Sequence, residues 1–151
     1  MLHEKTSVDK FFWTLFSGND WIVAGDAFQT EPELMGNIVE RASKYAFPLY
    51  TINPIHPSID FGWHNNESKY EVNVARRADI NCSSLKNLMF EIDGIPLDDQ
   101  LELLFRSGIP WTAIVFSGNK SYHAILSLED NLGQPHTEEG IEQYKQVWKR
   151  L

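Results

Sequence analysis

The sequence lacks the features that mark several large classes of protein. Cys82 is the single cysteine among 151 residues, so the chain can form no internal disulfide and offers no cysteine framework for zinc. No apolar run approaches the roughly 20 residues that span a bilayer, and the N-terminus has no apolar segment of the signal-peptide type. We therefore expect an intracellular, cytoplasmic protein with no membrane partner.

Positive charge is also scarce. Thirteen Lys and Arg residues stand against 21 Asp and Glu, which gives a formal net charge of -8. This balance argues against a broad surface that coats nucleic acid, because such surfaces are basic. A local basic groove remains compatible with it, and four residues are candidates for its lining: Arg76, Arg77, Lys86 and Lys120.

Apolar residues, by contrast, are sufficient for a substantial core. The chain is 42% hydrophobic and 13% aromatic, and its length suits one domain. We predict an N-terminal α/β portion over residues 1–80 and a core over residues 81–151, which together could form one compact domain. The predicted N-terminal elements are helices at 8–16 and 31–46 and strands at 21–24, 49–52 and 70–75.

The strongest chemical signals lie between residues 87 and 130. Alternation over 88–93 predicts a strand with Glu91 and Asp93 on one face. A helix is predicted next, from Pro96 to Gly108, and its expected apolar face consists of Leu97, Leu101, Leu104 and Phe105. A strand at 111–116, a turn at 117–120 and a strand at 121–128 follow. On the last strand Ser121, His123 and Ser127 oppose an apolar face, with Ile125 as an exception.

This order predicts an α/β (α+β) fold with an RRM-like split β-α-β core and a mostly antiparallel sheet. Thr137 is placed to cap a further helix that runs to Leu151. In such a core the third strand lies beside the first, so Glu91 and Asp93 should lie beside Ser121 and His123. The fourth strand would follow Leu151 and is missing from the sequence or lies beyond it, which predicts an incomplete core.

Two interpretations of these side chains stay open on spacing alone. Carboxylates two apart on a strand are about 7 Å apart and can converge on divalent cations. The turn Ser117–Lys120, with Ser121 and His123 after it, can cradle a triphosphate. The alternatives are an acidic pair that faces water and an ordinary Gly-Asn hairpin.

The motifs LMFEID, PLDDQ and SGNKSYH resemble those of the archaeo-eukaryotic primase superfamily, in particular the primase-polymerases of phages and mobile elements. The resemblance covers the second half of the chain well and the first half loosely. It implies that Glu91 and Asp93 bind Mg²⁺ or Mn²⁺ and act in catalysis with His123. It also implies a set of nucleotide-binding residues: Ser117, Lys120, Ser121, His123, Arg76 and Arg77.

The resemblance implies metal-dependent, template-directed nucleotidyl transfer for primer synthesis in DNA replication. The partners would be nucleoside triphosphates, a single-stranded DNA template and a helicase domain or protein. Two departures stand out: Glu91 occupies a position where Asp is usual, and the third acidic motif would lie after Leu151, so the chain resembles an incomplete fragment. The alternative function is a single-stranded nucleic-acid binding module of RRM type without catalysis.

Overall fold

The computed structural model describes residues 7–25, 32–42, 49–57, 81–133 and 137–150. The predicted strand at 70–75 and the candidate nucleotide-binding residues Arg76 and Arg77 lie outside these ranges. Helices occupy Val8–Leu15 (α1), Met35–Ala42 (α2), Leu97–Arg106 (α3) and Glu138–Arg150 (α4). Strands occupy Trp21–Ile22 (β1), Ala24–Gly25 (β2), Glu33–Leu34 (β3), Leu49–Tyr50 (β4), Asn87–Glu91 (β5), Ala113–Phe116 (β6) and Tyr122–Ser127 (β7).

The fold is mixed α+β with small antiparallel sheets, which confirms the predicted fold class. Strand β1 pairs with β3, β2 pairs with β4, and the largest sheet has the order β5-β7-β6. The third of these strands in the chain therefore lies between the first and the second, which is the order predicted from sequence. Among the described helices, none is long and apolar enough to cross a lipid bilayer.

The prediction for the second helix is wrong at its start. Glu33 and Leu34 form strand β3 opposite Ile22 and Trp21, and the helix begins only at Met35. Pairing with β1 gives these two residues an extended conformation as an alternative to the helical one. Tertiary pairing overrides the helical apolar spacing here.

A first apolar cluster joins the N-terminal elements to one face of the large sheet. Its fully or nearly fully buried members are Phe12, Leu15, Phe16, Ile22, Ala24, Met35, Ile38 and Ile125, with Met89 and Ala113 packed against them. Ile125 is thus the apolar exception on its strand because the N-terminal half of the chain covers that part of the sheet.

A second cluster lies on the opposite face of the sheet. Leu88 and Leu126, which are register partners, pack there with Tyr144 from α4. Helix α4 has the predicted N-terminal cap, since the Gly140 N–H donates to Thr137 Oγ1 at 3.0 Å. One face of the sheet therefore packs against α4, and the other against the N-terminal half.

The outer edge of β5 is covered by side chains. The Asn87 N–H donates to Asn53 Oδ1 at 2.9 Å, and the Asn87 carbonyl accepts from the Tyr144 hydroxyl at 2.6 Å. The Trp148 indole N–H donates to the Met89 carbonyl at 2.8 Å. These bonds satisfy backbone groups that an added strand would otherwise need.

Two buried tyrosine hydroxyls provide a test of this core. Among the described residues, the Tyr50 hydroxyl has no hydrogen-bond partner, whereas that of Tyr144 bonds the Asn87 carbonyl. We expect Tyr50→Phe to change the free energy of unfolding by less than about 1 kcal/mol or to raise it, and Tyr144→Phe to lower it by about 1 to 3 kcal/mol. Urea unfolding at pH 7 measures both, and equal losses would contradict the assignment.

Tyr50 should also make the stability of the protein depend on pH. Burial raises the pKa of Tyr50 from 10.0 to about 12. Below pH 10 the Tyr50 hydroxyl is neutral in both the folded and the unfolded chain, so its contribution to the free energy of unfolding is constant. Between about pH 10 and pH 12 the hydroxyl ionises only in the unfolded chain, so the free energy of unfolding falls over that interval. Tyr50→Phe should therefore lose less stability than the parent over that interval.

Candidate active site

The site lies where β5 ends and β7 begins. The antiparallel register places Glu91 directly opposite His123, with Val115 of β6 on the other side of His123. Side chains alternate along a strand, so Glu91 and His123 are on the same sheet face as Met89 and Ile125. The first apolar cluster covers that face near Met89 and Ile125, whereas Glu91 is exposed and His123 is half-buried.

Ser121 holds Glu91 in place. Its hydroxyl donates a short hydrogen bond to Glu91 Oε1, and His123 Nε2 lies 3.7 Å from the same oxygen. The latter contact is an ion pair only when the imidazole is protonated. Ser121 is 1% exposed, so in this arrangement its hydroxyl orients the carboxylate. The predicted contact of Ser121 with a triphosphate stays a prediction.

The turn between β6 and β7 is closed at its base by two serines. The Ser117 N–H donates to the Ser121 carbonyl at 2.9 Å, and the two hydroxyl oxygens lie 3.1 Å apart. Gly118 has a φ of 87°, a conformation that L side chains rarely adopt. The exposed tip of the turn therefore depends on glycine at this position.

Lys120 connects the turn to the second carboxylate. Its ammonium nitrogen lies 3.4 Å from Asp93 Oδ1, and the two side chains are 70% and 60% exposed. Strand β5 ends at Glu91, so the prediction that Asp93 lies on the strand is wrong: it follows two residues later. An ion pair this exposed is weak, and both groups can exchange partners at little cost.

Gln100 is a residue of the site that sequence reasoning missed. It is fully buried on α3, and its side-chain amide bonds the backbone on both sides of Ser121. Phe105, which was predicted to be on the apolar face of this helix, is instead 49% exposed. The sequence spacing could have indicated that Gln100 is buried. It lies three residues after Leu97 and four before Leu104, so it shares their face of the helix.

Six of the predicted site residues form two sets of contacts at this end of the sheet: Glu91 with Ser117, Ser121 and His123, and Asp93 with Lys120. Arg76 and Arg77 lie outside the described residues. Together the two sets contain two carboxylates, an ammonium group, an imidazole and two serine hydroxyls at one end of the sheet. Such a set can bind a phosphorylated ligand together with a cation.

The donor chemistry fits a hard divalent cation in part. Carboxylate oxygens are the ligands that Mg²⁺ and Mn²⁺ prefer, and the contacts above involve only Oε1 of Glu91 and Oδ1 of Asp93. Within the described ranges, no three or more His, Cys, Asp or Glu side chains are grouped so as to hold a metal ion. Water and phosphate oxygens would have to supply the remaining ligands.

Comparisons with protein-family models, with curated proteins and with solved structures find no match to this chain. Function is therefore inferred from the geometry of the described residues.

The unequal burial of Ser121 and Lys120 predicts unequal effects on stability. Removing the buried hydroxyl in Ser121→Ala should lower the free energy of unfolding by about 1.5 kcal/mol, because a hydrogen bond to a charged group is lost. Lys120→Ala removes an exposed ion pair and should change it by less than about 0.5 kcal/mol. Urea unfolding compares the two, and a larger effect at Lys120 would contradict the described contacts.

Proposed function

We propose that this chain carries a nucleotidyl-transfer site of the primase type, which extends a primer on a single-stranded DNA template from nucleoside triphosphates. One observation supports this most: Glu91 and His123 are register partners on neighbouring strands, and the Ser117–Lys120 turn lies beside them. A carboxylate, an imidazole and an exposed turn that carries a lysine, all at one end of the sheet, suit metal-assisted phosphoryl chemistry. The β5-β7-β6 order is compatible with the RRM-like core that we propose.

Each side chain has a role that its position allows. Glu91 and Asp93 would hold Mg²⁺ or Mn²⁺, which when bound stabilises charge on the phosphates and on the attacking hydroxyl. Lys120 and His123 would bind and orient the triphosphate, and Ser117 would contact it from the base of the turn. Ser121 would keep Glu91 oriented through their hydrogen bond.

The Lys120–Asp93 pair suggests how the ligands depend on one another. A triphosphate would draw the ammonium group of Lys120 away from Asp93, which would free Oδ1 for a cation. A cation on Asp93 would likewise release Lys120 for the phosphates. Nucleotide and metal would therefore each favour binding of the other, and the coupling must be equal in both directions.

The outer edge of β5 constrains where a third carboxylate could enter. The resemblance implies an acidic residue on a fourth strand, beside the first strand of the core. At Asn87 and Met89 that edge is already bonded by Asn53, Tyr144 and Trp148. A fourth strand would have to pair beyond Met89, close to Glu91, or displace the end of α4.

A nucleic-acid binding module without catalysis is the second candidate. RRM-type modules stack bases on aromatic residues of the two central strands. The exposed end of the sheet face carries Glu91 and His123 instead, and the exposed Phe116 shares the other face with Tyr122. An exposed carboxylate repels a phosphate backbone, so the geometry favours the primase type.

The first test replaces a proposed metal ligand. In a version of the chain that includes the fourth strand, Asp93→Ala should abolish primer synthesis on single-stranded template with Mn²⁺ and nucleoside triphosphates, while far-UV circular dichroism and urea unfolding remain close to those of the parent. Asp130→Ala is the matched control, because it removes an exposed carboxylate at the other end of β7. Normal product yield from Asp93→Ala would refute its role as a metal ligand.

The second test measures the coupling. Calorimetric titration with a nucleoside triphosphate should give at least about fivefold tighter binding in the presence of Mn²⁺ than in its absence. Lys120→Ala should weaken triphosphate binding and leave binding of Mn²⁺ alone undiminished. Oligonucleotide affinity that is independent of metal, without triphosphate binding, would instead favour the binding module.

A further inference from the structure

Helix α3 is bonded to the site through the buried side-chain amide of Gln100. Gln100 is fully buried, and all of its described hydrogen bonds go to backbone groups outside the helix. Its Nε2 donates to the Ile95 carbonyl at 2.8 Å and to the Lys120 carbonyl at 2.9 Å. Its Oε1 accepts from the Tyr122 N–H at 3.0 Å.

These bonds use both donor hydrogens of the amide and one of the two lone pairs of its oxygen. An amide NH₂ group donates two hydrogen bonds, and both of its hydrogens have a carbonyl partner here. The oxygen accepts from a backbone amide two residues beyond the second carbonyl. A side chain that could only accept, or that had no polar atoms, would leave at least one buried backbone group without its partner, which is costly.

The partners of Gln100 lie on both sides of the residues that form the site. Ile95 is four residues after Glu91, whereas Lys120 and Tyr122 flank Ser121. Ser121 in turn bonds Glu91 and Ser117. The amide therefore fixes the loop after β5 relative to the start of β7, which are the segments that supply the carboxylates and the turn.

We infer that Gln100 is a positioning residue, which acts through the Lys120–Tyr122 backbone to hold the turn in the conformation that binds a triphosphate. This inference rests on the proposed function. Because Gln100 is fully buried, its effect on a ligand would pass through the geometry of Lys120 and Ser121. Loss of the amide allows the turn to move relative to Glu91. The affinity for the triphosphate should therefore fall more than the rate of the chemical step.

The test compares two substitutions on the same face of α3. Gln100→Met keeps the length of the side chain and removes all three hydrogen bonds, whereas Leu104→Ala removes buried apolar volume one helical turn further on and leaves those three bonds in place. Gln100→Met should raise the KM for the nucleoside triphosphate about tenfold, the factor that corresponds to about 1.4 kcal/mol, with a smaller change in kcat. Leu104→Ala should lower the unfolding midpoint and leave the KM unchanged.

Hydrogen exchange supplies a readout that does not depend on activity. In Gln100→Met the Tyr122 amide should exchange faster than in the parent, while the Leu126 amide in the middle of the sheet keeps its protection. If Gln100→Met does not fold, Gln100→Asn replaces it, because this shorter amide remains polar but cannot reach all three partners.

The outcomes separate the two proposals. A parent protein that neither extends primers nor binds a triphosphate refutes the proposed function, and with it the role of Gln100 in binding. A parent that does both, with an unchanged KM in Gln100→Met despite faster exchange at Tyr122, refutes the positioning role alone. An equal rise in KM in Leu104→Ala also refutes it, because the effect would then follow from lost stability.

Discussion

The antiparallel pairing of β5 with β7 is the constraint on which the rest of the site depends. Its register sets Glu91 against His123 and, at the other end, Asn87 against Ser127. A slip of one residue would turn Glu91 toward α4 and Met89 out of the first apolar cluster, because side chains alternate between the faces of a strand. The apolar cores on both faces therefore select the same register that brings the carboxylate and the imidazole together. Packing energy and site geometry are linked through this one alignment.

Two buried side-chain amides also hold the strands of the site in position. Asn53 bonds the backbone of Lys86 and Asn87 and thus fixes β5 relative to the N-terminal half, whereas Gln100 fixes the segment around Ser121. Hydrogen bonds of this kind are directional, so they specify one arrangement where apolar contacts would tolerate several. Buried residues such as Gln100 and Ser121 therefore fix the positions of the side chains that are exposed at the site, such as Lys120 and Glu91. A site built in this way places its flexible groups, such as Lys120, on rigid supports.

The two strands that carry Glu91 and His123 were predictable, because they follow from local periodicity. Alternation predicted β5 and β7, and the order of strands and helices predicted that β7 lies next to β5, which placed Glu91 near His123. The start of α2 was not predictable, because a two-residue ladder with β1 competes with helical spacing and depends on a distant partner. The burial of Gln100 and Asn53 was not predicted, because polar residues are normally exposed. Only the tertiary structure shows which groups their side-chain amides bond.

The covering of the β5 edge by Tyr144 and Trp148 has a consequence for the behaviour of the chain in concentrated solution. Sheet edges with free backbone groups recruit other chains, and natural proteins block them with charges, prolines or bulges. This protein blocks its edge with a phenol and an indole from a helix, and Trp148 lies in the last turn of that helix, where fraying is easiest. Self-association should therefore follow the fraying of one helix end, and conditions that favour helix should keep the molecules apart.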